Sequence, residues 1–335
     1  MLRIGIIGFG GMGHNHASHY LRRNDCRLVA IADKRPEQLQ GKSLEINVGA
    51  PEPVRLSGIQ IFASGDEMLR RAEMDIVSIC LPTDLHAEYA IKALRAGCHV
   101  LCEKPMSRTL HQADAMLRVR EKSGRLLMIA QCLRFWPCYE KVVEVHRSGE
   151  FGRLLFLSLR RVSAAPRWAS DNWFLDGRRS GGALIDLHVH DTDFVNHLLG
   201  VPAAVVTTGL PGESGAIDTA ATQYHYPGGP VVVAETTWAK AGPFNMSFLA
   251  VFEGVTLEMG CRDADLFLAR KGEKEYAKVP LAPGTGHGRT VDYFVECVKA
   301  GREPERCTPW STRETMRIAF AEEKSARASG RRVGL

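Results

Sequence analysis

A short apolar run, Ile4-Gly5-Ile6-Ile7, leads directly into Gly8-Phe9-Gly10-Gly11-Met12-Gly13, and a helical pattern follows to about residue 23. Few backbones accommodate that succession. The first glycine of G-x-G-x-x-G permits a tight turn, the second lets a pyrophosphate approach the main chain, and the third allows a helix to pack closely on a strand. The helix N-terminus then presents unpaired N–H groups and partial positive charge to phosphates. In a chain with 32 glycines the motif alone is weak evidence. Its context strengthens it, because a second strand pattern spans 27–32 and Asp33 follows, 23 residues after Gly10. A carboxylate there accepts the hydroxyls of an adenosine ribose. The segment therefore reads as a βαβ unit for a nicotinamide or flavin dinucleotide, with Gly8, Phe9, Gly10, Gly11, Met12 and Asp33 as candidate contacts. Asp33 repels a 2′-phosphate, which favours NAD. Lys34 and Arg35 keep NADP as the alternative, since they can hold that phosphate if Asp33 turns away.

The alternation continues. Short apolar runs at 60–62, 76–81, 98–102 and 126–130 predict strands, with helices at 66–71, 85–96 and 107–122, the last begun by Ser107. Such alternation implies a parallel sheet covered by helices on both faces. After Gly152 the pattern changes to successive strands at 154–162, 203–209, 220–226, 231–238, 244–252 and 266–270. Turn signals such as Pro227-Gly228-Gly229-Pro230 separate several of them, which predicts a largely antiparallel meander. Helical patterns at 183–199, 290–300 and 311–328 complete the chain. The predicted class is α/β: an N-terminal Rossmann, doubly wound parallel sheet over residues 1–122, then a second α/β domain with a large, mainly antiparallel sheet over 123–335. A length of 335 residues suits two domains.

Composition excludes several other classes. A net charge of +5 is too modest for a nucleic-acid binder, and 45% hydrophobic with 24% charged residues is ordinary for a globular chain. Nine cysteines without a CxxC pair suit buried thiols in a reducing compartment. The longest stretch without Asp, Glu, Lys or Arg, 194–212, contains Asn196, His197, Pro202 and Pro211 and is no membrane span. The expectation is a cytoplasmic protein that engages neither membrane nor nucleic acid.

Two local patterns carry chemistry. Glu103-Lys104-Pro105 follows the strand at 98–102, at the carboxyl edge where parallel sheets bind ligands. Lys104 can point into that cleft; a plain surface lysine before a proline is the competing reading. The second pattern is Gly181-Gly182-Ala183-Leu184-Ile185-Asp186-Leu187-His188-Val189-His190-Asp191-Thr192-Asp193. On one helix, Asp186 and His190 are i,i+4 neighbours, and a carboxylate beside an imidazole sets its tautomer and raises its basicity. Asp193 lies on a nearby face, and His188 points elsewhere. A polar helix start with a satisfied core histidine competes with this reading. A helix disperses these side chains and no second ligand cluster accompanies them, so no metal is expected.

The whole chain resembles the glucose–fructose oxidoreductase, inositol dehydrogenase and rhizopine catabolism (Gfo/Idh/MocA) family. The likeness runs through the glycine motif, Leu81-Pro82-Thr83 with His86, Glu103-Lys104-Pro105 and Leu133-Arg134-Phe135. It continues through Asn172-Trp173-Phe174, Gly181-Gly182, Asp186-x-x-x-His190-Asp191 and Ala321-Glu322-Glu323-Lys324-Ser325-Ala326. The resemblance implies a Rossmann domain followed by an open-faced sheet domain, with the active site between them. It implies Lys104 as the active-site lysine before a cis proline, His190 as the acid/base and Asp186 as its orienting partner. It adds Lys34, Leu81, Pro82, Thr83, His86, Glu103 and Lys104 to the cofactor contacts, with Pro82 and Thr83 on the nicotinamide side. The implied activity is NAD(P)-dependent dehydrogenation of a secondary alcohol in a sugar, inositol or related polyhydroxylated compound. Candidate substrate contacts are Lys104, Arg134, Arg161, Trp173, Asp186 and His190, with Trp136 and Trp168 more commonly core. Alternatives are a transient-redox epimerase or glycoside-cleaving enzyme that retains NAD, and a non-catalytic sugar or dinucleotide sensor. Such enzymes commonly form homodimers or homotetramers through their sheets. His287 departs from the family's pattern, so no role carries over to its loop.

Overall fold

The computed structural model describes residues 1–35, 56–260 and 265–335. Its contacts divide the chain into two units: Met1–Gln131 with Arg167–Trp173 and His287–Arg313, and Cys132–Pro166 with Phe174–Gly286 and Glu314–Leu335.

In the first unit the short apolar runs become β1 (Leu2–Ile7), β2 (Cys26–Ala32), β3 (Gln60–Phe62), β4 (Ile76–Ile79), β5 (His99–Cys102) and β6 (Leu127–Ile129). Between them lie α1 (Gly11–Leu21), α2 (Gly65–Arg71), α3 (His86–Arg95) and α4 (Leu110–Ser123). The six strands are ordered β3-β2-β1-β4-β5-β6 and pair in parallel. Ile4, Ile6, Ile76, Val77, Val100 and Leu101 are wholly buried, as continuous apolar strands under helices must be. Strand order reverses between β1 and β4, so the glycine motif lies at the topological switch point. The helix expected from Ser107 begins later. Thr109 is the cap, its hydroxyl accepting from the Gln112 N–H, while the Ser107 hydroxyl donates to the Thr109 carbonyl at 2.8 Å.

The second unit holds α5 (Pro137–Ser148), β7 (Leu154–Val162), α6 (Gly177–Ser180), α7 (Gly182–Asp186), α8 (Val189–Leu199) and β8 (Ala204–Pro211). There follow β9 (Ile217–His225), β10 (Val231–Thr237), β11 (Asn245–Phe252), β12 (Val255–Met259), β13 (Leu266–Arg270) and β14 (Ala277–Lys278). The chain closes with α9 (Gly286–Ala300), which from His287 onward belongs to the first unit, then α10 (Pro309–Arg327), which belongs to the second from Glu314 onward, and β15 (Val333–Gly334) of the second unit. The nine-stranded sheet is ordered β14-β13-β12-β11-β7-β10-β9-β8-β15. Its pairs are antiparallel except β7 with β10, where the helical crossover between β7 and β8 returns the chain in the same direction. Three strands fall outside the expected runs: the two-residue β14 and β15, and β12, whose buried Val255, Leu257 and Met259 alternate after the Glu253-Gly254 turn. One face of the sheet is core, where Leu157, Leu159 and Phe248 pack with Tyr139 of α5, Phe194 of α8 and Ile318 of α10. The opposite face presents Thr208, Leu210, Ala221, Gln223, Val231 and Glu235.

The expected single helix over 183–199 is two. α7 ends at Asp186, and the His188 N–H bonds five residues back to the Ala183 carbonyl at 2.8 Å before α8 begins at Val189. Asp186 and His190 thus sit on either side of a break rather than as i,i+4 neighbours on one helix.

Candidate active site

The glycine motif is tight at its ends and open at its centre. A Cβ on Gly8 would collide with the Cys80 carbonyl, and Gly8 also holds a φ of 90°, which favours glycine. A Cβ on Gly13 would collide with the Gly8 carbonyl. Gly10 is different: a Cβ there meets nothing within 4 Å, and α1 starts one residue later. The turn therefore leaves room over the N-terminus of α1, as a pyrophosphate requires.

Asp33, at the end of β2, is held by that turn. Its Oδ2 accepts the Phe9 N–H at 2.7 Å and its Oδ1 accepts the Arg35 N–H at 2.9 Å. Each oxygen keeps a lone pair for another donor. Lys34 Nζ lies 3.3 Å from Asp171 Oδ2, and Arg35 Nη1 lies 3.5 Å from Asp171 Oδ1. After β4, Thr83 is 1% exposed and its Oγ1 has no hydrogen-bond partner among the described residues. An orphaned hydroxyl there and an open glycine cradle both fit a dinucleotide. His86 opens α3. Its ring nitrogens lie 2.8 Å from the Leu81 carbonyl and 2.7 Å from the Pro105 carbonyl, so it ties two loops together. Burial lowers its pKa.

The Lys104–Pro105 peptide is cis. Beside it, buried Glu103 is 2.9 Å from His16 Nε2, while His16 Nδ1 is 3.2 Å from Ser78 Oγ, which is 2.9 Å from the Tyr20 hydroxyl. The second Glu103 oxygen accepts the Lys104 N–H at 3.2 Å. Burial opposes Glu103 ionisation. The His16 hydrogen bond and the charges of His16, His287 and Lys104 outweigh it, so the pKa lies below its ordinary value. Nothing in the spacing of His16 announces a partner 87 residues away. His287, whose loop carried no expectation, belongs to this same cluster, and burial pushes its pKa down to about 4.

In the second unit, α8 is surrounded by buried polar pairs. Arg134 makes two hydrogen bonds to Asp193, and the Thr315 hydroxyl donates to Asp193 Oδ1 at 2.7 Å. Arg161 bonds both oxygens of Asp191 at 3.1 and 3.2 Å. Deeper still, the Thr192 hydroxyl is 3.1 Å from both Glu322 oxygens and 3.2 Å from the Tyr224 hydroxyl, itself 3.3 Å from His188 Nε2. Burial pushes the Glu322 pKa up to about 8. Asp186 and His190 are both buried, and His190 Nδ1 lies 3.9 Å from the Cys132 sulfur. Trp173 is half-buried and belongs to the first unit, next to Asp171 and Asn172, whose φ values of 59° and 46° are left-handed.

Among the described residues no group of three or more His, Cys, Asp or Glu side chains is placed to hold a metal ion. None of their helices is long and apolar enough to cross a membrane. The described cysteines stand outside any disulfide; Cys261 lies outside the described residues.

The sequence matches the family description "Oxidoreductase family, NAD-binding Rossmann fold" over residues 2–131 and "GFO/IDH/MocA C-terminal domain" over 139–258. A D-glucoside 3-dehydrogenase of Escherichia coli is 34% identical over 206 residues, covering 60% of this chain and 55% of that protein. A myo-inositol 2-dehydrogenase of Thermotoga maritima is 27% identical over 244 residues, covering 70% and 68%. The chain thus spans little more than half the length of the first of these relatives. A solved levoglucosan dehydrogenase, in complex with NADH and levoglucosan, shares the fold with a TM-score of 0.84 at 21% identity, covering 99% of both chains.

Proposed function

Because the chain belongs to the GFO/IDH/MocA family of oxidoreductases, we propose that it is an NAD(P)-dependent dehydrogenase or reductase of polyhydroxylated compounds. Its substrate would be a sugar, an inositol or a near relative, reacting at a secondary alcohol or ketone. The observation that carries this reading is the glycine turn, closed at Gly8 and Gly13 and open at Gly10 over the start of α1. Gly8, Phe9, Gly10, Gly11 and Met12 would hold the pyrophosphate, Asp33 the ribose, and Leu81, Pro82 and Thr83 the nicotinamide side. When bound, NAD supplies a hydride acceptor at the nicotinamide C4.

The chain's own residues take the remaining work. His190 accepts the substrate hydroxyl proton, and Asp186 orients it. Lys104, protonated, stabilises the oxygen as negative charge develops. Support comes from their setting: Lys104 follows Glu103, which His16 holds, and His190 rides on a helix fixed by two buried ion pairs. Those pairs also bear on the substrate. Arg134 and Arg161 each face a carboxylate of α8, so their charges are already balanced and favour a neutral polyol over an anionic one. The named substrates of the two dehydrogenase relatives are of that kind. Assembly into a homodimer or homotetramer would use the outer sheet face around Thr208, Ala221 and Val231.

The test is a panel of sugars, inositols, sugar acids and their phosphates, followed by NADH absorbance. Stoichiometric NADH with a neutral polyol supports the reading. Product without net NADH moves it to a transient-redox epimerase or glycoside-cleaving enzyme. Tight binding without turnover makes the chain a sensor.

A further inference from the structure

We infer that Asp171 sets the preference of this chain for NAD over NADP by engaging the two cations that a 2′-phosphate needs. The inference rests on the dinucleotide reading above.

Lys34 and Arg35 directly follow the ribose carboxylate Asp33, and they serve a 2′-phosphate only if Asp33 turns aside and their charges stay available. Neither condition is met. Asp33 is fastened from two sides by main-chain N–H groups, at 2.7 Å from Phe9 and 2.9 Å from Arg35, and turning away would strand both donors. The cations are divided between the oxygens of one carboxylate, Lys34 at 3.3 Å from Asp171 Oδ2 and Arg35 at 3.5 Å from Oδ1. The two carboxylates thereby balance the ammonium and the guanidinium, so an incoming phosphate meets no net positive field.

Asp171 lies 137 residues beyond Lys34 in sequence, in a segment that belongs to the same unit. Its φ of 59° is a left-handed conformation, which aspartate and asparagine adopt more readily than other side chains. Arg35 also keeps a buried Nε–H with no partner among the described residues, a spare donor for an anion. The Lys34 and Asp171 side chains are 70% and 51% exposed. Exposed pairs of this kind contribute little to stability, so replacing Asp171 changes the local field far more than the fold.

The experiment is calorimetric titration of the purified full chain with NAD+ and with NADP+ at low ionic strength. D171N keeps the side-chain shape and D171A removes it; thermal melts verify that both fold. The ratio of the NADP+ to the NAD+ dissociation constant should fall by ~10-fold in both variants, the weight of one restored charge-assisted contact. Adding K34Q and R35Q should return the ratio to its starting value, and raised salt should shrink the gain. A ratio that stays put in D171N and D171A overturns the inference. So does a ratio that moves only in D33N, since Asp33 would then set the preference alone. A wild-type chain that binds neither dinucleotide removes the dehydrogenase reading and this inference with it.

Discussion

Arg134 and Asp193 meet as a bidentate pair, Nε to Oδ2 at 2.8 Å and Nη2 to Oδ1 at 2.7 Å, with side chains only 2% and 1% exposed. The pair joins the helical turn Cys132–Phe135 to α8, the helix that bears His190. Removing one member of a buried pair leaves the other charge uncompensated, whereas replacing both with apolar groups can be neutral. Arg134→Ala should therefore cost about 3–5 kcal/mol in urea unfolding, and Arg134→Met with Asp193→Leu should recover most of it. A loss below about 1 kcal/mol for Arg134→Ala would place the pair among the inert ones.

His190→Asn should lower kcat by ~10²–10⁴-fold while the NAD dissociation constant changes little, because a general base acts on the substrate proton and not on cofactor binding. Lys104→Met should lower kcat through loss of the donor to the developing alkoxide. Steady-state kinetics with the best panel substrate, beside calorimetry with NAD, reads both. Undiminished turnover in His190→Asn would remove it from the role.

The glycines separate cofactor binding from folding. Gly10→Ala adds a methyl where nothing lies within 4 Å, so the apo chain should melt near the wild-type temperature while NAD affinity drops. Gly13→Ala drives a methyl into the Gly8 carbonyl and should lower the apo melting temperature itself. Equal thermal losses in both variants would contradict this division.

Glu322 makes stability depend on pH. Burial raises its pKa from 4.5 to about 8, so the folded chain keeps a proton that the unfolded chain releases between those values. Its stabilising contribution is complete below 4.5 and is lost as the pH rises through about 8. His188, lowered to about 3 by burial, acts in the opposite sense, but only below its ordinary 6.5. Between pH 6.5 and 8 the Glu322 effect stands alone, at about 1.4 kcal/mol per pH unit. Wild-type unfolding free energy should fall by about 2 kcal/mol more than that of Glu322→Gln across this window, measured by urea titration. Parallel curves would show that Glu322 is ionised in the folded protein.

The outer sheet face carries the assembly prediction. Ala221→Arg places a long charged side chain among Thr208, Gln223 and Glu235 and should convert any oligomer seen by light scattering into monomer. An unchanged mass would direct attention to another surface.

Much of this molecule was legible along the chain. Gly8 through Asp33 announces its fold because strand, turn, helix and carboxylate follow one another within one βαβ unit, and each local requirement is written in residue type. Glu103-Lys104-Pro105 is legible for the same reason. The break between α7 and α8 was not, because the 183–199 pattern suits one helix; the wider turn closes through the His188 N–H, and the His188 ring meets Tyr224, 36 residues away. Arg134 and Arg161 are expected as substrate contacts from the sequence; their pairing with Asp193 and Asp191, 59 and 30 residues away, is set by tertiary packing that no local pattern encodes.

The sequence by itself determined the succession of elements, the glycine cradle and the set of chemically able residues, because periodicity, caps and motifs act over a few positions. Only the tertiary structure decided which of those residues are already engaged: Glu103 by His16, Arg134 by Asp193, Lys34 and Arg35 by Asp171. Charge and hydrogen-bond capacity are saturated by whatever lies within about 3–4 Å, and that neighbour is chosen by chain folding over tens to hundreds of residues.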